Sequence, residues 1–493
     1  MSKHFAPLKA LSTAAAALLA ACSVGPDYHR PDAPVPTTYK EGWKAGEPQD
    51  AIDRGAWWSI YNDPVLDQLE RQIDISNQNL RAAEASYRQA RAVVAQARAG
   101  YFPTVSVAAS ATRSGSARTS GVTSPTGITR VGGGVQTQYD LTADATWTID
   151  VWGRIRRTVE SDIANAQASA ADLASARLSA QAALATDYFD LRATDQLKRL
   201  LDAAVVAFTQ SLEITRNQYR VGVAGQTDVV TAQTQLETTR AQAVAVGVQR
   251  AQFEHAIAVL IGKPPAELSI EPMPMPNNIP VVPPDVPSTL LERRPDIAAA
   301  ERLMAAANAQ IGAAEAAYYP DLTLSASYGF VSTSLDTLLH ASNALWSVGP
   351  TVTQTLFNGG LRGAQLDQAR AVYDQNVATY RQTVLTGFQQ VEDQLATLRI
   401  LAQQADVEAN AVRLAREAER LTLNQYKAGT VAYTAVITAQ TQALNNEQTE
   451  LTILQNRLAA SVALVQALGG GWTATQLPSD SDVKDNNPLD LLR

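Results

Sequence analysis

The chain contains itself twice. NQYRVGVAGQTDVVTAQTQ (Asn217 to Gln235) returns as NQYKAGTVAYTAVITAQTQ (Asn424 to Gln442), AGYFPTVSV (Ala99 to Val107) as AAYYPDLTL (Ala316 to Leu324), and VWGRIR (Val151 to Arg156) as FNGGLR (Phe357 to Arg362). Landmarks that recur in one order restrict the fold to two copies of a single unit packed on each other.

Each unit opens with a helix of moderate length, over 64–100 or 295–318, that stops at an aromatic pair followed by proline. Two alternating segments joined by a polar loop follow, within 102–150 and 320–357. In the clearest, YDLTADATWTID, residues Tyr139, Leu141, Ala143, Ala145, Trp147 and Ile149 alternate with Asp140, Thr142, Asp144, Thr146, Thr148 and Asp150. That pattern predicts a strand with one apolar and one wet, acidic face, with Asp140 and Asp144 on the wet side. Two hairpins give four strands per chain, each long enough to cross a membrane.

After each hairpin the chain predicts a very long helix. Residues 154–221 contain no glycine or proline, and 364–428 contain only Gly387. At 1.5 Å per residue each is on the order of 100 Å long, a coiled-coil or bundle length. Leu197, Leu201, Val205, Phe208 and Leu212 recur at three- and four-residue steps, a stripe that needs a partner. The chain then turns at Gly222 and Gly225, or at Gly429, and returns over 227–261 or 435–468. A return helix covers about half of the outgoing one, so the helix before each hairpin is expected to cover the other half.

At the N-terminus Lys3 and Lys9 precede a short apolar run, the pattern of a signal peptide over 1–21 that is too short to span a membrane. It ends in Leu19-Ala20-Ala21-Cys22, and Cys22 is the only cysteine, so no disulfide forms within the chain. This tetrapeptide resembles the bacterial lipobox, whose cysteine becomes the lipid-carrying first residue of the mature protein. Ser23 in place of aspartate resembles lipoproteins sorted to the outer membrane. The mature chain then divides into a lipidated segment (22–63), a first repeat (64–261), a proline-rich connector (262–294), a second repeat (295–468) and a polar tail (469–493). The two proline-rich stretches are expected to wrap the helical body as a belt, and the tail after Trp472 to be mobile.

A net charge of −8 without a basic run argues against nucleic-acid binding. His4, His29, His255 and His340 are scattered and no catalytic or metal-binding signature occurs, so neither an enzyme nor a metal site is expected. No long apolar run occurs beyond the leader, so a membrane crossing must be a closed barrel. The smallest membrane barrels need about eight strands, and an open sheet in lipid leaves unpaired backbone groups costing several kcal/mol each. Copies must therefore pool their strands, and periodicity alone does not fix how many.

CSVGPDYHRPDAPVP, WWSIYNDPVLDQLE, LLERRPDIAAAERLMAAANAQIGAAEAAYYPDLTLS and ALGGGW, in this order and spacing, resemble the lipoprotein branch of the bacterial outer-membrane factor family, the TolC-, OprM- and NodT-like proteins. The resemblance implies an α+β membrane protein: a homotrimer whose twelve-stranded outer-membrane β-barrel continues into a long periplasmic α-helical barrel with a mixed equatorial belt. It implies the exit duct of a tripartite efflux pump in a Gram-negative outer membrane. Such a duct passively conducts what an inner-membrane transporter, of the resistance-nodulation-division type, delivers through a periplasmic adaptor (membrane fusion) protein. No cofactor is implied apart from covalent lipid on Cys22.

The same resemblance implies that the helix turns Val221, Gly222, Val223, Ala224 and Ala428, Gly429, Thr430, Val431 contact the adaptor. It places candidates for the periplasmic gate at Thr434, Ala435 and Thr438 and, in the first repeat, at Asp228. None of the second-repeat positions is acidic, a departure from the aspartate rings of the family. Asp228 reads equally as an acid favoured at a helix N-terminus. The rival reading, a lipid-tethered periplasmic coiled-coil scaffold, accounts for the helices but has no use for the alternating hairpins.

Overall fold

The computed structural model describes residues 24–36, 38–40, 54–115, 122–124, 127–129, 135–280 and 290–484. The leader and Cys22 lie outside the described residues. The first repeat runs α1 (Pro64–Ser76), α2 (Gln78–Ala99), β1 (Thr104–Gly115), β2 (Val135–Ile149), α3 (Arg154–Arg220) and α4 (Gln226–Leu260). The second runs α5 (Pro295–Ala316), β3 (Asp321–Ser332), β4 (Ala344–Thr353), α6 (Leu361–Lys427) and α7 (Tyr433–Ala467). Repetition of sequence becomes repetition of length: α3 and α6 have 67 residues each, α4 and α7 35, α2 and α5 22.

Each long helix is flanked by short helices stacked end to end. α3 packs against α2 and α5 in the half next to the sheet and against α4 and α7 in the other, while α6 packs against α5 and α7. The C-terminus of α4 meets the start of α2, where Asn77 Nδ2 donates to the Leu260 carbonyl at 2.7 Å and Ser76 Oγ to that of Ile261 at 2.5 Å. The C-terminus of α7 meets α5 in the same way, Arg294 Nη1 donating to the Ala467 carbonyl at 2.9 Å. Glycine is demanded at both junctions: a Cβ on Gly262 would lie 2.1 Å from the Ser76 oxygen, and one on Gly469 2.0 Å from that of Arg293.

This junction overturns one expectation. The helix read over 64–100 is two helices, because Asn77 leaves the helical region (ψ 121) where the Gly262 turn presses in, and its side chain caps the new start at Leu80 N. A second expectation fails at the C-terminus. The tail is docked through residue 484: Trp472 and Leu477 pack on Ala171, Ala298 and Ala299, and α8 (Asp480–Lys484) buries Val483 among Val94, Val159 and Ile163. Three apolar contacts seat it, and Gln167, Arg91 and Arg98 donate to the carbonyls of Pro478, Asp482 and Lys484.

The main core lies at the middle of the helical body, where Trp57, Trp58 and Tyr61 pack on Leu66, Phe189 and Leu458. The N-terminal strap, residues 24–36 and 38–40, runs along the helices from the sheet end toward this level. Val24 N donates to the Trp152 carbonyl at 3.2 Å, Arg30 Nη2 to Tyr380 Oη at 2.9 Å, and Lys40 N to Glu392 Oε1 at 2.6 Å.

Candidate functional site

The four strands form one antiparallel sheet in the order β1-β2-β3-β4. Its register decides what the two faces are. Val107 pairs with Ala143, Leu141 with Phe330, Trp147 with Leu324, and Tyr328 with Trp346, so most of the large apolar side chains of the four strands share one face, with Val331 and Leu345 on the other. The other face collects Ser106 beside Asp144, Ser110 beside Asp140, Thr142 beside Gly329, and Ser327 beside Ser347. A one-residue slip in any pair would mix the faces.

Among the described residues no helix or strand packs on the apolar face: Val107, Trp346 and Val352 are 72%, 73% and 67% exposed. Between Tyr139 and Ile149 it spans ten steps of about 3.4 Å, which at a barrel tilt near 40° gives a band on the order of 25 Å, the height of a lipid-facing belt. No helix among the described residues is long and apolar enough to cross a membrane. Asp140 and Asp144 stand on the polar face as the sequence predicts. Asp140 accepts from Ser110 Oγ at 3.2 Å and Gln138 Nε2 at 2.8 Å, and Asp144 from Thr142 Oγ1 at 3.0 Å.

At the far end of the long helices both turns close in the same way. Gly222 and Gly429 adopt left-handed backbone (φ 80° and 74°). Val223 N donates to the Gln218 carbonyl at 2.9 Å and Gly222 N to that of Tyr219 at 3.0 Å; Thr430 N and Gly429 N repeat this onto Gln425 and Tyr426. These are Schellman closures, which satisfy the last carbonyls of the helix and require φ > 0 at one residue. A Cβ on either glycine would meet no atom within 4 Å, so the surface around each tip is open within the chain. Val221 and Val223 are largely exposed there, and Val431 packs partly on the core beneath.

The gate candidates lie one turn inward. Thr434 and Thr438 are exposed, Ala435 is half-buried, and Thr438 Oγ1 donates to its own helix at the Thr434 carbonyl. Asp228 Oδ2 accepts from Gly225 N at 3.0 Å and so closes the start of α4. It also lies near a tyrosine pair, Tyr426 and Tyr433, whose rings are 5.3 Å apart. Burial, then Tyr426 and the Asp228 carboxylate, push the Tyr433 phenol up to about 12.

That pair belongs to a connection that sequence reasoning missed. Tyr426 Oη donates to Thr215 Oγ1 at 3.2 Å, Gln218 Nε2 to the Tyr426 carbonyl at 3.0 Å, and Gln440 Nε2 to Ser211 Oγ at 2.9 Å, tying the second helical hairpin to α3 just above the tips. The repeat hid it. Tyr219 is the equivalent of Tyr426 in an identical Asn-Gln-Tyr, yet Tyr219 is 48% exposed and Tyr426 4%. Among the described residues no group of three or more His, Cys, Asp or Glu is placed to hold a metal ion.

The family model of the outer membrane efflux protein matches residues 69–263 and 286–470, one segment in each repeat. The chain is 32% identical to a probable efflux pump outer membrane protein, SepC, of Pseudomonas putida over 94% of its own length and 96% of that protein's. It is 27% identical to the probable outer membrane lipoprotein SilC of Salmonella typhimurium, over 94% and 99%. Its fold superposes on the outer-membrane channel OprN with a TM-score of 0.82 at 30% identity, covering 92% of this chain and 100% of that one. The chain belongs to the outer membrane efflux protein family and is a non-enzymatic protein of the outer membrane.

Proposed function

We propose that three copies of the chain pool their strands into a twelve-stranded barrel whose lumen continues through a tube of helices, forming the passive exit duct of a tripartite efflux pump. The observation that carries this reading is the sheet register: an apolar belt on the order of 25 Å on one face, a polar face behind it, and two edge strands, β1 and β4, each with its outer edge unpaired among the described residues. A tethered scaffold would expose that belt to water.

The duplication supports closure into a ring. Ile400, Val407, Leu414 and Leu421 form an exposed seven-residue stripe on α6. Their equivalents in α3 include Ala193, Leu200 and Ile214, which lie in the cores shared with α7. On α4, Val230 and Val244 are exposed, while their α7 equivalents Ile437 and Leu451 are packed. The contact that α7 makes on α3 within the chain is therefore left open for α4 of one copy on α6 of the next, a head-to-tail contact that generates a ring. The number three is the one the family resemblance implies.

In this reading Asp140 and Asp144 line the lumen and lipid on Cys22 adds an anchor. The tips at 221–224 and 428–431 receive the periplasmic adaptor, which connects to an inner-membrane transporter. Asp228, Thr434, Ala435 and Thr438 border the periplasmic mouth. A Thr430→Trp chain tests the tip assignment, since Thr430 is exposed at the turn, and a Gly429→Trp chain tests it with the added strain of a left-handed backbone, so recovery of assembled protein is read for both. The expected phenotype of each is that of a strain lacking the gene in a susceptibility assay, with assembled protein still recovered from the outer membrane. Undiminished export would remove the adaptor role from this turn.

A further inference from the structure

Segments near both ends of the described chain meet the seam between α3 and α5. Small residues line it: Ala164 faces Ala305 and Ala306 at one level, and Ala171 faces Ala298 and Ala299 two turns away. Tyr28 of the N-terminal strap packs at the first level, and Trp472 and Leu477 of the C-terminal tail at the second. Between them runs one unbroken chain of polar contacts. Tyr28 Oη donates to Glu301 Oε1 at 2.6 Å, and Arg302 grips the same carboxylate through Nε at 2.5 Å and Nη2 at 2.7 Å. Arg302 Nη1 reaches Gln167 Oε1 at 3.4 Å, and Gln167 Nε2 donates to the Pro478 carbonyl and to Asp480 Oδ1, both at 3.1 Å. Glu301 and Gln167 are only 9% and 6% exposed, whereas Arg302 is partly exposed and Asp480 lies at the surface, so the rung runs from the interior of the seam out to the tail.

We propose that this seam is a clasp in which the docked C-terminal tail holds the N-terminal strap in place through Gln167, Arg302 and Glu301. A buried carboxylate needs its counter-charge held in position, and a partly satisfied buried network loses more than the single bond removed. Pro478 and Asp480 orient the Gln167 amide, whose oxygen then turns the Arg302 fork toward Glu301, the acceptor of Tyr28. Release of the tail frees Gln167 to rotate and leaves the strap without a fixed acceptor. Strap and tail are more than 400 residues apart in sequence, so the clasp closes only after both repeats between them are in place. Its consequence rests on the reading of Cys22 as a lipid anchor: the segment directly behind the anchor is fixed by the opposite end of the chain.

Chymotrypsin digestion of the purified full-length protein in detergent, read as the rate of cleavage between Tyr28 and His29, tests this. Val483→Asp, which undocks the tail without shortening it, and Gln167→Leu, which cuts the rung with Val483 still seated, are each expected to accelerate that cleavage on the order of tenfold. A chain lacking residues 473–493 should behave as Val483→Asp does. Cleavage after the exposed Tyr219 at the far tip is the internal standard and is expected to stay constant. An unchanged rate at Tyr28 in the two point variants, or an equal rise at Tyr219, overturns the clasp. Loss of export in the Gly429→Trp experiment is read independently, so the two proposals fail separately.

Discussion

Glu70 is the residue most at odds with its surroundings. It is fully buried on α1, neither carboxylate oxygen has a hydrogen-bond partner among the described residues, and Asp67 and Asp74 stand one turn away on the same face. Burial, reinforced by Asp74 and Asp67, raises its pKa to about 9. The folded chain therefore carries a neutral Glu70 at neutral pH, whereas the unfolded chain carries a charged one. For a carboxyl raised in this way, stability is fully present below the unfolded pKa and falls as pH rises toward the folded pKa, by about 1.4 kcal/mol per pH unit in between. Glu70→Gln keeps the shape and removes the titration. It is expected to raise the thermal midpoint near neutral pH and to flatten the loss of stability between about pH 5 and 9. A variant melting with the slope of the parent would show that Glu70 is charged in the fold.

The stripe Ile400, Val407, Leu414, Leu421 makes a prediction of its own at the level of elements. If α4 of a neighbouring copy covers it, Val407→Glu places a charge in an apolar seam and should shift detergent-extracted protein from assembly to single chains. Circular dichroism should meanwhile stay that of the parent. Assembly unaffected by the substitution would leave α6 facing solvent. What the sequence made legible at this scale has a physical pattern. The alternating strands, the long helices and the glycines at 222 and 429 are written in local sequence, as period, absence of breakers and positive φ. The break at Asn77 was not, because Gly262, far along the chain, causes it. Docking of the tail depends on Val483 finding a pocket between α2 and α3, and the Tyr426–Thr215 bond on the second repeat lying beside α3. In both, composition named the residues and only packing named their partners.

The whole molecule is incomplete as a single chain. Its sheet has a largely exposed apolar face and two edges open to pairing among the described residues; α6 and α4 leave exposed the equivalents of the surfaces that α3 and α7 pack together. In the proposed assembly one remedy serves both deficits, another copy whose α4 covers the stripe on α6. In that proposal Asp140 and Asp144 of each copy face a common lumen and the tips lie together at one end. The most direct measurement is the native mass of the protein extracted from the outer membrane in mild detergent. The account predicts three chains per particle, and a particle holding one chain or two would contradict the shared barrel.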